Sequence, residues 1–322
     1  MTGWGLGVFW ADFWAASSGS GSACGFQNGT KVKPALLDSG SYIVAVSGGV
    51  DSVVLLDMLT NSQLPTPTSH LIVAHFDHGI REDSAEDARF VGELARTHGL
   101  QYESRREELG VGASEELARD RRYGFLRELA QKYDAQIVTA HHADDVVETI
   151  AINVSRGTGW RGVAVLDSLG IVRPLLHLRK QELVAYAEEH RLKWHEDSTN
   201  ISDTYLRNRM RRKMSRLDED DRQLLVALRG QQVEYKRLID EEAQRLVGQS
   251  PYSRHFFTVI DQTVAVELLR AVFVRETGSS PTEPQRQLAL AAVKVARPGA
   301  AHDVGSGVRL RFTRTQFVVE KG

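Results

Sequence analysis

The sequence predicts an α/β protein: an open parallel sheet with helices on both faces, followed by a smaller, mainly helical domain. Two observations predict it. From Ser41 onward, short apolar runs alternate with amphipathic helical stretches, the pattern of a parallel sheet covered on both sides. After about residue 216 the alternation stops and charged amphipathic helix takes over.

The elements follow in order. "YIVAV" (42–46) is apolar throughout, as a strand buried on both faces should be. "VVLLDML" (53–59) reads as a helix, and "HLIVAHFDHG" (70–79) as a second strand with a polar end. "SAEDARFVGELARTHG" spaces Ala85, Ala88, Val91, Leu94 and Ala95 at helical intervals and stops at Gly99. "EELARDRRYGFLRELAQKY" (115–133) is amphipathic helix, "AQIVTAHHADD" (135–145) a third strand with a polar tip, and "DVVETIAINVSRGTG" (145–159) a helix. Farther on, 217–246 reads as one charged helix, while "HFFTVI" (255–260) and "VRLRFTRTQFVVE" (308–320) read as short strands. The acidic run Asp218–Asp221 marks the expected boundary, giving domains at 41–216 and 217–322. Residues 1–40 hold Trp4, Trp10 and Trp14 and a Gly/Ser-rich stretch, and read as a poorly ordered extension without the features of a signal peptide.

Composition excludes several classes. A net charge of -2 means that any nucleic-acid contact must rest on local patches. The single cysteine, Cys24, rules out a disulfide framework, a cysteine zinc site and a two-cysteine relay, and fits a reducing cytoplasm. No apolar run is long enough to span a membrane.

Ligands of such sheets bind beyond the C-terminal strand ends, where "SGGVDS", "HFDHGIRED" and "HHADD" all fall. In "SGGVDS", Gly48 and Gly49 let the backbone turn sharply and approach a ligand, and the following helix offers unpaired N–H groups and its positive dipole end. That is an anion site, to which Ser47 and Ser52 add hydroxyls. Asp51 would repel phosphate and suits a Mg²⁺ that bridges phosphates. The usual phosphate loop carries a lysine for the β/γ end, and this turn has none. Holding pyrophosphate without the γ end suits attack at the α-phosphate, which releases pyrophosphate.

The turn resembles the PP-loop of N-type ATP pyrophosphatases, which share a Rossmann-like sheet. "AHFDHGIRED", "EELARDRRYGFL", "TAHHADDVVETIAINVSRGTGWRG", "RPLLHLRKQEL" and "WHEDSTNISDTYLRNRMRR" follow in an order that is similar to the tRNA(Ile)-lysidine synthases, over residues 40–215. That family also places a helical tRNA-binding domain after the catalytic one; its longer members carry a further C-terminal domain, for which this chain leaves little length. The resemblance implies ATP-dependent ligation of free L-lysine to C2 of the wobble cytidine in the CAU anticodon of tRNA(Ile), through an adenylated cytidine. It implies ATP binding at Ala45, Ser47, Gly48, Gly49, Val50, Asp51 and Ser52, a cytoplasmic enzyme, and leaves room for a homodimer.

Residue chemistry fills in the rest. Asp144, Asp145 and Glu148 open a helix and could hold the ammonium groups of lysine, one of them as base; capping by Asp144 or Asp145 is the structural alternative. His141 is expected against phosphate or the activated base, and His142 as its neighbour; a zinc site with His75 and His78 matches no standard spacing. By the family pattern, Arg119 and Arg122 would stabilise charge at the α-phosphate, the alternative being a solvated face. Arg156, Arg161, Arg207, Arg209, Arg211 and Arg212 are the expected tRNA contacts, and Trp160 could stack on a base or sit in the core. Two competing functions remain. A tRNA 2-thiolation enzyme of the same superfamily is disfavoured by the lone cysteine, and a non-catalytic nucleotide- or RNA-binding protein by the acids and arginines at the rim.

Overall fold

The computed structural model describes residues 37–61, 70–79, 84–110, 113–195, 206–305 and 307–321. The tryptophans Trp4, Trp10 and Trp14 and Cys24 lie outside the described residues. Residues 37–40, assigned to the extension from sequence, join the folded part: Leu37 is buried and the Tyr42 hydroxyl donates to the Asp38 carbonyl at 2.9 Å.

Five strands form the first sheet: β1 (Ser41–Ala45), β2 (His70–Asp77), β3 (Gln101–Arg106), β4 (Ala135–Val138) and β5 (Ile171–Val172). All pair in parallel, in the order β3-β2-β1-β4-β5. Strand β1 is therefore central, and Ile43 and Val44 are fully buried. The sequence reading missed β3. Its residues, QYESRR, are half polar because it is an exposed edge, where charged side chains also discourage further pairing.

The helices α1 (Val50–Asn61), α2 (Ser84–Thr97), α3 (Glu115–Lys132), α4 (Ala143–Ser155) and α5 (Lys180–Glu189) cover the sheet. Helix α1 is buried along most of its length. Its one deeply buried charge, Asp57, accepts hydrogen bonds from Asn61 at 2.8 Å and from the Tyr186 hydroxyl at 2.9 Å, which ties α1 to α5. Ser114 caps α3 by accepting the Leu117 N–H at 3.1 Å. Helix α6 (Leu206–Met214) carries the basic run, and α7 (Glu219–Leu246) is one long helix capped by Asp218, whose carboxylate accepts the Asp221 N–H at 2.8 Å. Leu225 and Val226 of α7 pack on Val146, Ile150 and Val165.

The C-terminal part adds helices α8 (Arg254–Val259), α9 (Gln262–Thr277) and α10 (Glu283–Val295) and an antiparallel sheet of β6 (Tyr252–Ser253), β7 (Ala301–Gly305), β8 (Val308–Phe312) and β9 (Gln316–Lys321), in the order β6-β9-β8-β7. It has its own core, with Phe257, Leu269, Val272, Leu310 and Phe317 at its centre. The expected strands in 308–320 are there, but "HFFTVI" is helical. Ser253 caps that helix by accepting the Phe256 N–H at 3.3 Å, and only Phe257 is fully buried, with Val259 left 62% exposed. A run whose apolar residues face different ways fits a helix better than a core strand.

Candidate active site

The turn after β1 is braced from within. Gly48 has φ +95°, a conformation that a side chain would strain. The buried Ser52 hydroxyl donates to the Gly49 carbonyl at 2.9 Å, and its oxygen accepts the Ser47 N–H at 3.2 Å. Ser52 thus shapes the loop, while Ser47 is exposed at its mouth. From the far side, the His195 N–H donates to the Gly48 carbonyl at 3.0 Å. His195 itself stacks on Phe90 and hydrogen-bonds Asp87 at 2.6 Å.

A lysine reaches the turn from elsewhere in the chain. Lys180, the first residue of α5, places its Nζ 2.6 and 2.8 Å from the two Asp51 oxygens. Lys180 has no signal of its own in the sequence, because nothing local pairs it with a residue 129 positions away. Its ammonium occupies a cation position on Asp51, so the carboxylate suits a metal ion. Among the described residues, no group of three or more His, Cys, Asp or Glu side chains could hold a metal by itself. A Mg²⁺ at Asp51 would take its other oxygens from phosphates and water.

Beyond β4, His141 and His142 have opposite environments. His142 is the N-cap of α4, and its imidazole lies 3.6 Å from Asp144, 3.5 Å from Asp145 and 3.9 Å from Asp51. Burial disfavours its charged form, but those three carboxylates outweigh it and raise its pKa above the ordinary value. His141 is pushed the other way, to about 3, by burial and by Arg173, Arg122 and Arg119, against the pull of Asp145. Its Nδ1 pairs with the Thr139 hydroxyl at 2.8 Å.

The three acids divide their work. Asp144 is a junction: one oxygen accepts the Lys180 N–H at 2.8 Å and the other accepts from Arg222 of α7 at 3.0 Å. The neighbouring His142, together with those donors, holds its pKa well below the usual carboxylate range. These bonds occupy the oxygens expected to bind lysine. Asp145 accepts the His142 N–H at 3.0 Å, so the capping alternative applies to it. Glu148 is buried and accepts from Arg211 at 2.7 Å.

On α3, the guanidinium groups of Arg119 and Arg122 lie 4.8 and 5.4 Å from the Tyr123 ring. Both contribute positive potential at His141. Arg173, at the end of β5, is buried and was not singled out from sequence.

The expected RNA-contacting arginines scatter. Arg156 and Arg209 are exposed. Arg211 points inward to Glu148, and the Arg207 side chain lies outside the described residues. Arg161 is withdrawn: its NH2 donates to Asp240 and Glu267, both at 2.7 Å, with Arg270 also on Asp240 at 2.7 Å. A side chain with two carboxylate partners, only 17% exposed, is an internal clamp rather than an RNA contact. Trp160 is partly exposed, with Arg161 packed 4.5 Å over its ring.

The PP-loop domain family matches residues 27–217. This chain belongs to that family. Within the PP-loop enzymes, it is similar to tRNA(Ile)-lysidine synthases. The one from Lactobacillus johnsonii is 37% identical over 183 residues, 53% of this chain and 42% of that protein. The one from Geobacter sulfurreducens is 39% identical over 184 residues, 53% of this chain and 39% of that protein. The chain thus spans about two fifths of the length of these relatives. A solved structure, the U34-tRNA thiolase NcsA from Methanococcus maripaludis, shares the fold: TM-score 0.53, 20% identity, over 62% of this chain and 74% of that one. Among the described residues, no helix is long and apolar enough to cross a membrane.

Proposed function

We propose that this PP-loop protein is a tRNA(Ile)-lysidine synthase, joining free L-lysine to C2 of the wobble cytidine in the CAU anticodon of tRNA(Ile). The observation that carries the reading is one rim of a parallel sheet. It combines a PP-loop turn, a carboxylate at Asp51, arginines on α3 and acids on α4. ATP is a substrate of this reaction: cytidine O2 attacks the α-phosphorus, and pyrophosphate leaves. The neutral ε-amine of lysine then attacks C2, the C2–O2 bond breaks, and AMP departs with that oxygen.

The chain's own groups fit these steps. The N–H groups at the start of α1 and the Ser47 hydroxyl cradle the phosphates. Asp51 would hold Mg²⁺, which would supply charge neutralisation on the phosphates. Lys180, whose ammonium lies beside Asp51 at the mouth of the turn, would offer its charge to the same phosphates. Arg119 and Arg122 stabilise the α-phosphoryl charge. Asp145 and Glu148 receive the ammonium of lysine and the proton it loses. His141, with a pKa near 3, is neutral at working pH and too weak a base to take that proton, so it orients the cytidine by hydrogen bonding. The exposed Arg156, Arg209 and Arg212 meet the RNA backbone, residues 217–322 extend that surface, and the enzyme works in the cytoplasm.

The test is incorporation of labelled lysine into a tRNA(Ile) transcript with a CAU anticodon. Incorporation should require ATP and vanish when the wobble cytidine is changed. ATP cleavage to AMP without lysine transfer would retain the PP-loop chemistry and reject the lysidine reading.

A further inference from the structure

Arg173 is a buried cation with an unused binding edge. It is 8% exposed. Its NH1 donates to the Leu166 carbonyl at 2.9 Å, which fixes the guanidinium plane. Its Nε and NH2, the two parallel donors that grip a carboxylate or phosphate, have no carbonyl or carboxylate acceptor among the described residues. The Tyr123 hydroxyl, also buried, interacts with the guanidinium and favours its charged form. Arg119 of α3 and Arg229 of α7 add like charge, so burial and like charge both press on the cation. Buried donors of this kind are costly unless a ligand completes them.

Position narrows the ligand. Strand β5 is two strands from β1 in the sheet order, so the backbone at Arg173 lies roughly 10 Å across the sheet from the phosphate turn. It is therefore offset from the PP-loop turn itself. Its depth suits a small molecule better than a polymer phosphate, which meets cations at the surface. His141 feels both Arg173 and Asp145, so a positive and a negative group act on one imidazole. A free amino acid, with a carboxylate at one end and an ammonium at the other, matches that pair.

We propose that the Nε–NH2 fork of Arg173, with the Tyr123 hydroxyl, binds the α-carboxylate of the amino acid that the enzyme transfers. The assignment rests on the reading that a free amino acid is the second substrate. It makes the chain select an amino acid over a simple diamine, while Asp145 and Glu148 select the side-chain ammonium.

The experiment compares L-lysine with L-lysinamide, which keeps both amines and loses the carboxylate. Calorimetry on the wild-type protein should show L-lysine binding about tenfold or more tighter than the amide. Arg173→Met should remove that preference and raise KM for lysine by a similar factor, with KM for ATP and tRNA within about twofold. Arg173→Lys, which keeps the charge and loses the fork, should recover part of it. Equal binding of lysine and its amide to wild-type protein overturns the proposal, and needs no variant to fold. A rise in KM for ATP or tRNA in Arg173→Met, with the preference intact, overturns it in favour of a phosphate. If wild-type protein transfers no lysine yet binds another amino acid more tightly than its amide, and Arg173→Met abolishes this, the fork stands and the lysidine reading falls.

Discussion

The ammonium of Lys180 against both oxygens of Asp51 makes a pair that nucleotide must rearrange, because a metal and an ammonium compete for one carboxylate. Lys180→Met is expected to raise KM for ATP about tenfold or more while leaving Asp51 available to Mg²⁺. Pyrophosphate release at varied ATP checks this, and an unchanged KM would leave the pair a purely structural one. Asp51→Asn should abolish pyrophosphate release. The two histidines give a further expectation at this scale. Between pH 6.5 and about 3 the unfolded chain takes a proton at His141 that the folded chain refuses, so stability falls as pH drops through that window. His142 acts in the opposite sense. Its folded pKa lies above 6.5, so the stability it adds is complete below 6.5 and is lost as pH rises through the folded value. Urea midpoints against pH should flatten on the acid side in His141→Gln and on the alkaline side in His142→Gln. The phosphate turn and the acids of α4 were legible in the sequence because their chemistry sits in one short run each. Lys180, Arg173 and the sequestration of Arg161 were not, since each is defined by partners far along the chain.

Helix α3 presents Arg119 and Arg122 to the site from a segment that depends on one cap. Ser114→Ala removes the acceptor for the Leu117 N–H and should cost about 1 kcal/mol of stability. Denaturant unfolding should show that loss, with adenylation largely retained. Arg122→Ala should do the reverse, leaving stability near wild type and slowing pyrophosphate release. Legibility at this scale followed burial. Elements buried on both faces, such as β1 and α1, announce themselves by continuous apolar runs. Strand β3 did not, because an edge strand trades apolar residues for charge, and α8 did not, because aromatic residues bias a short run towards strand whatever its packing.

Across the whole molecule, the turn at 160–162 is joined to α7 and α9 through Arg161, Asp240, Glu267 and Arg270. Arg286 of α10 adds a contact to Glu267 at 3.5 Å. Removing one member strands the charge of another in a poorly hydrated place. Glu267→Ala is expected to destabilise the protein by about 3 kcal/mol, and Glu267→Ala combined with Arg161→Met by less than the sum. Denaturant melts of the single and double variants measure that coupling.

The junction at Asp144 reaches past the limits of its family. The PP-loop match ends at residue 217, yet the arginine that completes Asp144 is residue 222. A carboxylate in the catalytic half therefore depends on a guanidinium that the family match leaves out. Any recombination event that exchanged the segment after 217 would have to bring a basic residue to the first turn of its opening helix. The first turns of α7 are thus tied to the sheet, wherever a sequence boundary happens to be drawn.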